Sequence, residues 1–257
     1  MSKKIVVIGD VQIKPGCNMA YVTHMGRYIA EKRPDIVVCI GDFYDFESLS
    51  FYDKGKKSFE GRRLLEDIRA GNEAMDALFA PIHALQARQK LAKKKVYNPR
   101  LVFTLGNHED RFDRISQDMP EFDGFTGTST LQLSKWGWEV YPFLQPVEIE
   151  GIYFVHYLAN PMTGKPYGGT ALNQLKTVGR SYVVGHKQVL DIAIRPTLDN
   201  KLQIGIVNGA CYPHDEGYKG FQGNNHFRGL IMLNEVKDGF GLPCPVSLDF
   251  LRRKYGK

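Results

Sequence analysis

The chain has 257 residues, 43% hydrophobic and 24% charged, with a formal net charge of +6 and an isoelectric point near 9.0. That length is enough for one large domain or two small ones and ample for a real core, and the composition is that of a globular protein rather than a disordered or fibrous one. No apolar run reaches the ~20 residues needed to span a bilayer, which excludes a membrane-embedded role, and the positive balance favours an anionic partner.

Met1-Ser2-Lys3-Lys4 leads straight into an apolar run, an arrangement without a signal peptide. Cys17, Cys39, Cys211 and Cys244 form no CxxC pair and read as reduced thiols of a cytoplasmic protein. Residues 4–9 predict a buried strand ending at Gly9-Asp10-Val11-Gln12. On extended backbone Asp10 and Gln12 would point the same way, which suits two ligands of one metal. A helix is predicted over about 19–32, with Met19, Val22, Met25, Tyr28 and Ile29 as its apolar side. Residues 36–40 predict a second buried strand between Pro34-Asp35 and Gly41. This strand–helix–strand opening is the parallel unit. It delivers Gly41-Asp42-Phe43-Tyr44-Asp45 to the carboxyl end of a strand, where ligand sites of open α/β folds collect. A helix-capping Asp is the plainer reading of Asp42; recurrence of the same arrangement along the chain argues against it.

Residues 46–57, with Lys54, Lys56 and Lys57, predict an exposed basic loop. A helical tract spans about 58–94, where Leu64, Leu65, Ile68, Met75, Leu78, Phe79, Ile82 and Leu85 fall near a 3.6 period. Gly71 and Pro81 predict a kink or a break into two helices. The basic tail, Arg88 to Lys95, reads as a solvated helix end. Residues 100–105 predict a third strand, ending in Gly106-Asn107-His108-Glu109-Asp110. Asn offers a carbonyl oxygen to a metal, the adjacent His can protonate a leaving group, and the acid after it can brace the loop. Arg111 and Arg114 are candidates to face an anionic substrate.

Residues 111–150 are harder to assign; Trp136 and Trp138 predict a packed segment leading to a strand near 140–143. A strand at 151–155 ends in His156. Residues 157–180 read as a Gly-rich lid or a plain loop, then a short helix at 170–178. A strand at 181–184 ends in Gly185-His186-Lys187-Gln188, repeating the two-residue spacing of Asp10 and Gln12. Strands are predicted at 202–207 and 230–233, with a loop holding Cys211, Tyr212, His214, His226 and Arg228 between them. A final helix or tail carries Arg252, Arg253 and Lys254.

Five of these blocks, spread over residues 10–188, resemble the calcineurin-like metallophosphoesterase superfamily. Its pattern is DxH, GDxxD, GNH[ED], a lone His and GHxH, each after a strand. The resemblance implies an α/β fold, a two-layer mixed β-sandwich flanked by helices. It implies a single domain over 1–257 with a helical insertion at about 46–98 and a lid at about 157–180. It also implies two divalent ions bridged by Asp42, with Asp10, Gln12 and Gln188 completing the first site and Asn107, His156 and His186 the second. His108 would be the catalytic acid near the leaving group rather than a ligand, with Asp45 orienting its ring. Paired divalent ions ~3.5–4 Å apart can generate a hydroxide and neutralise a phosphoryl group. A carboxylate at a His fixes its tautomer.

The sequence departs from the pattern at Gln12 and Gln188, where the family has histidines. The first site would then be all oxygen, which suits Mg²⁺, Mn²⁺ or Ca²⁺ better than Zn²⁺. Asymmetric occupancy follows, with Mn²⁺ the expected activating ion and Mg²⁺ the alternative. Gln-for-His variants resemble phage-type members, which implies a viral source and a place in the host cytoplasm. Some members have lost ligands and serve as scaffolds; here His108, Asp45 and every carboxylate remain, which implies an active enzyme. The Ser/Thr phosphatase pattern continues GDxxD with Arg-Gly, whereas this chain has Phe46-Glu47. Lys54, Lys56, Lys57, Arg62, Arg63, Arg111 and Arg114 favour a polyanion. The expected activity is hydrolysis of phosphodiesters in nucleic acid. The alternatives are a phosphomonoesterase acting on nucleotides or proteins, and a metal-binding interaction scaffold. No stacking platform of aromatic residues is apparent.

Overall fold

The first strands are apolar on both faces because both faces are covered, one by a second sheet and one by helices. The computed structural model describes residues 1–216 and 219–256. Its elements run β1 (Lys3–Ile8), α1 (Ala20–Lys32), β2 (Ile36–Cys39), α2 (Leu64–Leu91), β3 (Arg100–Thr104), α3 (Asn107–Asp118) and β4 (Glu139–Tyr141). They continue with β5 (Val147–Ile149), β6 (Ile152–Phe154), α4 (Ala171–Val178), β7 (Tyr182–Val184), β8 (Asp191–Pro196) and β9 (Leu202–Val207). The chain closes with α5 (Gly220–Asn224), β10 (Gly229–Lys237), β11 (Phe240–Ser247) and α6 (Leu248–Tyr255).

One sheet has the order β11-β10-β1-β2-β3-β4 and the other β5-β6-β7-β9-β8. Strands β1 to β4 are mutually parallel, as are β6, β7 and β9, while β10, β11, β5 and β8 join antiparallel. Alternation along β1 divides the core. Ile5 and Val7 face the second sheet's Ile152, Phe154, Val183 and Ile206. Val6 and Ile8 face Met25, Ile29, Met75 and Leu78 of α1 and α2. Outside the second sheet, Ala171 and Leu175 of α4 pack on Tyr182, Val184 and Val207. The result is the expected mixed sandwich flanked by helices.

Helix α2 corrects one expectation. It runs unbroken through Gly71 and Pro81 and forms the crossover between parallel β2 and β3. An interior Pro costs about 3 kcal/mol. Burial of Met75, Leu78, Phe79, Ile82 and Leu85 outweighs it, at about 1.5–3 kcal/mol for each fully buried side chain. Gly71 is there for space: a Cβ would meet the Tyr44 ring at 2.0 Å. Strand β11 was unforeseen because Pro243 and Pro245 interrupt its pattern. It lies at a sheet edge, where a missing N–H breaks no ladder.

In-register pairing sets Ile8 beside Cys39 and Cys39 beside Phe103, so the loops after β1, β2 and β3 leave the sheet at one edge. Two of them nearly touch. A Cβ on Gly106 would meet Asp42 Oδ1 at 2.2 Å and Asp42 N at 2.3 Å. Glu109 locks this junction. Its buried carboxylate accepts N–H bonds from Asp42 (2.8 Å), Phe43 (2.8 Å), Tyr44 (3.0 Å) and Gly106 (2.8 Å). The brace anticipated for the acid after His108 is this one. Glu109→Gln sets an amide NH₂ against two of those donors and should cost about 2–3 kcal/mol, read as a lower denaturation midpoint at pH above the value of about 7 to which burial and Asp42 push the Glu109 carboxyl. An unchanged midpoint would refute the brace.

Candidate metal centre and active site

Both sheets deliver polar residues to the same edge. From the first come Asp10, Gln12, Asp42, Asp45, Asn107 and His108; from the second come His156, His186 and Gln188. Asp10, Gln12, Asp42, Asp45, His156 and Gln188 are all buried. The two sets are tied together by hydrogen bonds. The His186 N–H donates to Asp10 Oδ1 (3.1 Å), and His156 Nδ1 lies 2.8 Å from the Ile40 carbonyl oxygen. A Cβ on Gly185 would meet Asp10 Oδ1 at 2.4 Å, so only glycine lets the GHxQ loop come this close.

Asp42, His156 and His186 bring one ligand atom each within 4.8 Å of one another. Asn107 Oδ1 stands between the imidazoles, 2.8 Å from His156 Nε2 and 2.8 Å from His186 Nδ1. Asp42 Oδ2 is 3.3 Å from His156 Nε2. These four residues form one converging set of oxygen and imidazole donors, a mixture that suits divalent cations. Asp10 Oδ2 is buried with no hydrogen-bond partner, a further carboxylate oxygen that a cation would satisfy.

The remaining residues divide. His108 sits beside this set, its Nε2 3.6 Å from Asp42 Oδ2. Its Nδ1 is 2.9 Å from Asp45 Oδ1 and 2.7 Å from the Asp45 carbonyl oxygen. Arg111 Nη2 lies 3.1 Å from His108 Nε2, so Arg111 joins the site. Arg114 does not join it in this way; it is half exposed and pairs with Asp110 at 3.1 Å. Gln12 reaches its place otherwise than expected. β1 ends at Ile8, and Gln12 has φ of 45°, with its N–H donating to the Asp42 carbonyl oxygen (2.8 Å). The extended-backbone argument for Asp10 and Gln12 is therefore replaced by a turn. Asp42, His186 and Gln188 share this left-handed backbone, with φ of 51°, 65° and 57°.

Charge is distributed unevenly. Burial works against ionised Asp42, but His108 and His156 outweigh it and hold that carboxyl below the usual range. Burial pushes Asp10 up to about 6. Burial also opposes a charged His156, yet the Asp42 carboxylate raises it to about 9. His186 is pulled down to about 4 by burial and then by His156.

The sequence reading missed two neighbours. Gln188 Oε1 accepts hydrogen bonds from Tyr212 Oη (2.8 Å) and from the Lys219 ammonium. Both follow β9, whose end, Val207-Asn208-Gly209, repeats the polar strand-end arrangement and could have drawn attention to this loop. The expected lid region is held by its own bonds, Asn160 N–H to Lys165 O and Tyr167 N–H to Leu158 O.

Among the described residues no helix is long and apolar enough to cross a membrane. The chain is 28% identical over 191 residues to "Gene 54 protein" of Mycobacterium phage D29, covering 72% of this chain and 69% of that protein. It is 27% identical over 191 residues to "Gene 54 protein" of Mycobacterium phage L5, with the same coverage. A solved structure of YfcE, a phosphoesterase from E. coli, aligns over 95% of this chain and 99% of its own at 13% identity, with a loose TM-score of 0.38. The family model for calcineurin-like phosphoesterase matches residues 3–237. The chain belongs to the calcineurin-like phosphoesterase family and is a metal-dependent phosphoesterase.

Proposed function

We propose that the protein hydrolyses phosphodiester bonds in nucleic acid, within the cytoplasm of a phage-infected host. The observation that carries the hydrolytic part is the pairing of the His156–His186–Asn107–Asp42 cluster with a separate His108–Asp45 pair. Asp42, Asn107, His156 and His186 would hold one divalent ion, with Mn²⁺ the expected choice and Mg²⁺ the alternative. The family pattern implies another seat at Asp10, Gln12, Asp42 and Gln188, which would offer oxygen donors only and therefore be the weaker. The chemistry supplied there by a divalent ion, when bound, is Lewis-acid neutralisation of the phosphoryl charge and acidification of water.

The chain's own residues do the rest. Asp45 takes the His108 Nδ1–H and leaves Nε2 to face the reacting group. Burial opposes a charged His108 and Arg111 adds to that opposition, but Asp42 and Asp45 outweigh both and raise its pKa, which favours the imidazolium that would donate to the departing oxygen. Arg111, within reach of the same Nε2, supplies a fixed positive charge for a phosphoryl oxygen. The polyanion reading is supported by the loop after Asp45. Phe51 and Tyr52 are 77% and 83% exposed there, among exposed Lys54, Lys56 and Lys57, and Lys54 Nζ lies 5.5 Å over the Phe51 ring. Exposed rings among lysines suit a single strand, whose bases stack while its phosphates pair.

The test is Mn²⁺-dependent turnover of bis-p-nitrophenyl phosphate, p-nitrophenyl phosphate and a labelled DNA strand. Diester and DNA cleavage is expected, with DNA affinity weakening as salt rises. Monoester cleavage alone would make the protein a phosphomonoesterase, and metal binding without any turnover would make it a scaffold. In the same assay His108→Ala should lower turnover about 10²–10⁴-fold while metal content stays unchanged; equal loss of metal would make His108 a ligand.

Metal binding should depend on pH. Ion-free His156 holds its proton up to about pH 9, and an entering cation must displace it. Apparent Mn²⁺ affinity should rise about tenfold per unit between about pH 6 and about pH 8, with roughly one proton released per ion. Calorimetry in buffers of different ionisation enthalpy measures both, and a pH-independent affinity would remove His156 from the ligand set.

A further inference from the structure

The Gln-lined half of the centre does not fit a second ion as it stands. A side-chain amide oxygen has two lone pairs. Both of those on Gln188 Oε1 have takers, the Tyr212 hydroxyl at 2.8 Å and the Lys219 ammonium. The ammonium is itself anchored, since Lys219 Nζ also lies 2.8 Å from Tyr212 Oη and 5.5 Å over the Tyr212 ring. Tyr212 is fully buried, so the anchor is rigid. Burial lowers the Lys219 pKa and Arg228 adds to this, with Asp10 and Glu216 offsetting it only in part.

The departure from the family pattern at Gln188 then has a cause. An ammonium carries three donors and no acceptor, so its neighbours must be acceptors. Gln188 provides a carbonyl oxygen for it, where an imidazole would offer at most one lone pair and one N–H. Gln12, also buried here, adds no charge to the same half. Gln and a neutral imidazole are alike uncharged, so the exchange leaves the charge of this half as it was and changes the donor type, carbonyl oxygen in place of ring nitrogen.

We propose that the Lys219 ammonium stands in for the second divalent ion, so that the centre works with one metal ion and one lysine. This rests on the phosphoesterase reading above. Asp10, whose Oδ2 has no hydrogen-bond partner, would then be balanced by the lysine rather than by a metal. The lysine would also bring a positive charge to the Gln188 side of the centre.

Equilibrium dialysis against excess Mn²⁺, elemental analysis and electron paramagnetic resonance together count the ions and show whether they are coupled. One ion per chain with the spectrum of an isolated ion is expected for the unaltered protein. Lys219→Met should keep the ion held by His156 and His186 while turnover falls about 10²–10³-fold, the usual loss when a charge-stabilising group is removed. Two ions per chain with an exchange-coupled spectrum would overturn the proposal. So would a Lys219→Met protein of full turnover. The ion count of the unaltered protein needs neither a folded variant nor a substrate. Absence of turnover on every phosphoester would therefore sink the phosphoesterase reading, while the ion count still decides where Lys219 stands.

Discussion

Four backbone N–H groups from two loops end on the carboxylate of Glu109. The groups that the loops after β2 and β3 bring to the centre depend on that junction. It fixes Asp42, whose Oδ1 accepts the His108 N–H at 2.9 Å. It fixes Tyr44 and hence Asp45 beside the His108 ring, and it fixes Gly106, from which Asn107 and α3 begin. One buried acceptor thus holds the parts of two sequence blocks more than sixty residues apart. The second sheet attaches through His186 N–H to Asp10, His156 to the Ile40 carbonyl, and both imidazoles to Asn107 Oδ1.

The loop after β9 wires the centre from the other side. Tyr212 and Lys219 bind Gln188. Glu216 binds Lys14 at 3.1 Å, and Lys14 in turn lies 3.9 Å from Asp45. His214 closes the set, with Nε2 2.7 Å from Glu216. The same loop therefore touches both the Gln-lined half of the metal centre and the carboxylate that orients His108.

Much of the fold was legible because buried parallel strands leave a plain trace. The runs ending at Asp10, Asp42, Asn107, His156 and His186 are short, apolar and closed by glycine or a polar residue, and each is a strand end in space. What was not legible depended on packing. Nothing local announces that the Pro81 penalty is offset by the buried face of α2, or that the prolines of β11 sit on an edge. Helix α3 carries mostly polar side chains and buries only Glu109 and Phe112, so it has almost no apolar period to read. Among the site residues, the convergence of the five blocks was expected from their order. Lys219 was not, because its link to Gln188 spans 31 residues and no periodicity marks it. The backbone of Gln12 was misjudged for a related reason: spacing alone does not tell a strand from the turn that ends it.

That turn geometry carries a consequence for the history of such a chain. Gln12, Asp42, His186 and Gln188 all hold a conformation that glycine adopts freely and that costs other residues of order 1–3 kcal/mol. Glycine at these positions would relieve the strain and delete the chemistry. The polar cluster is therefore a standing debt against the sandwich beneath it, tolerable only while that core has stability to spare. A descendant that kept the fold but no longer needed the reaction would gain stability by losing these side chains. Decay from enzyme to binding platform is thus the downhill direction for this architecture.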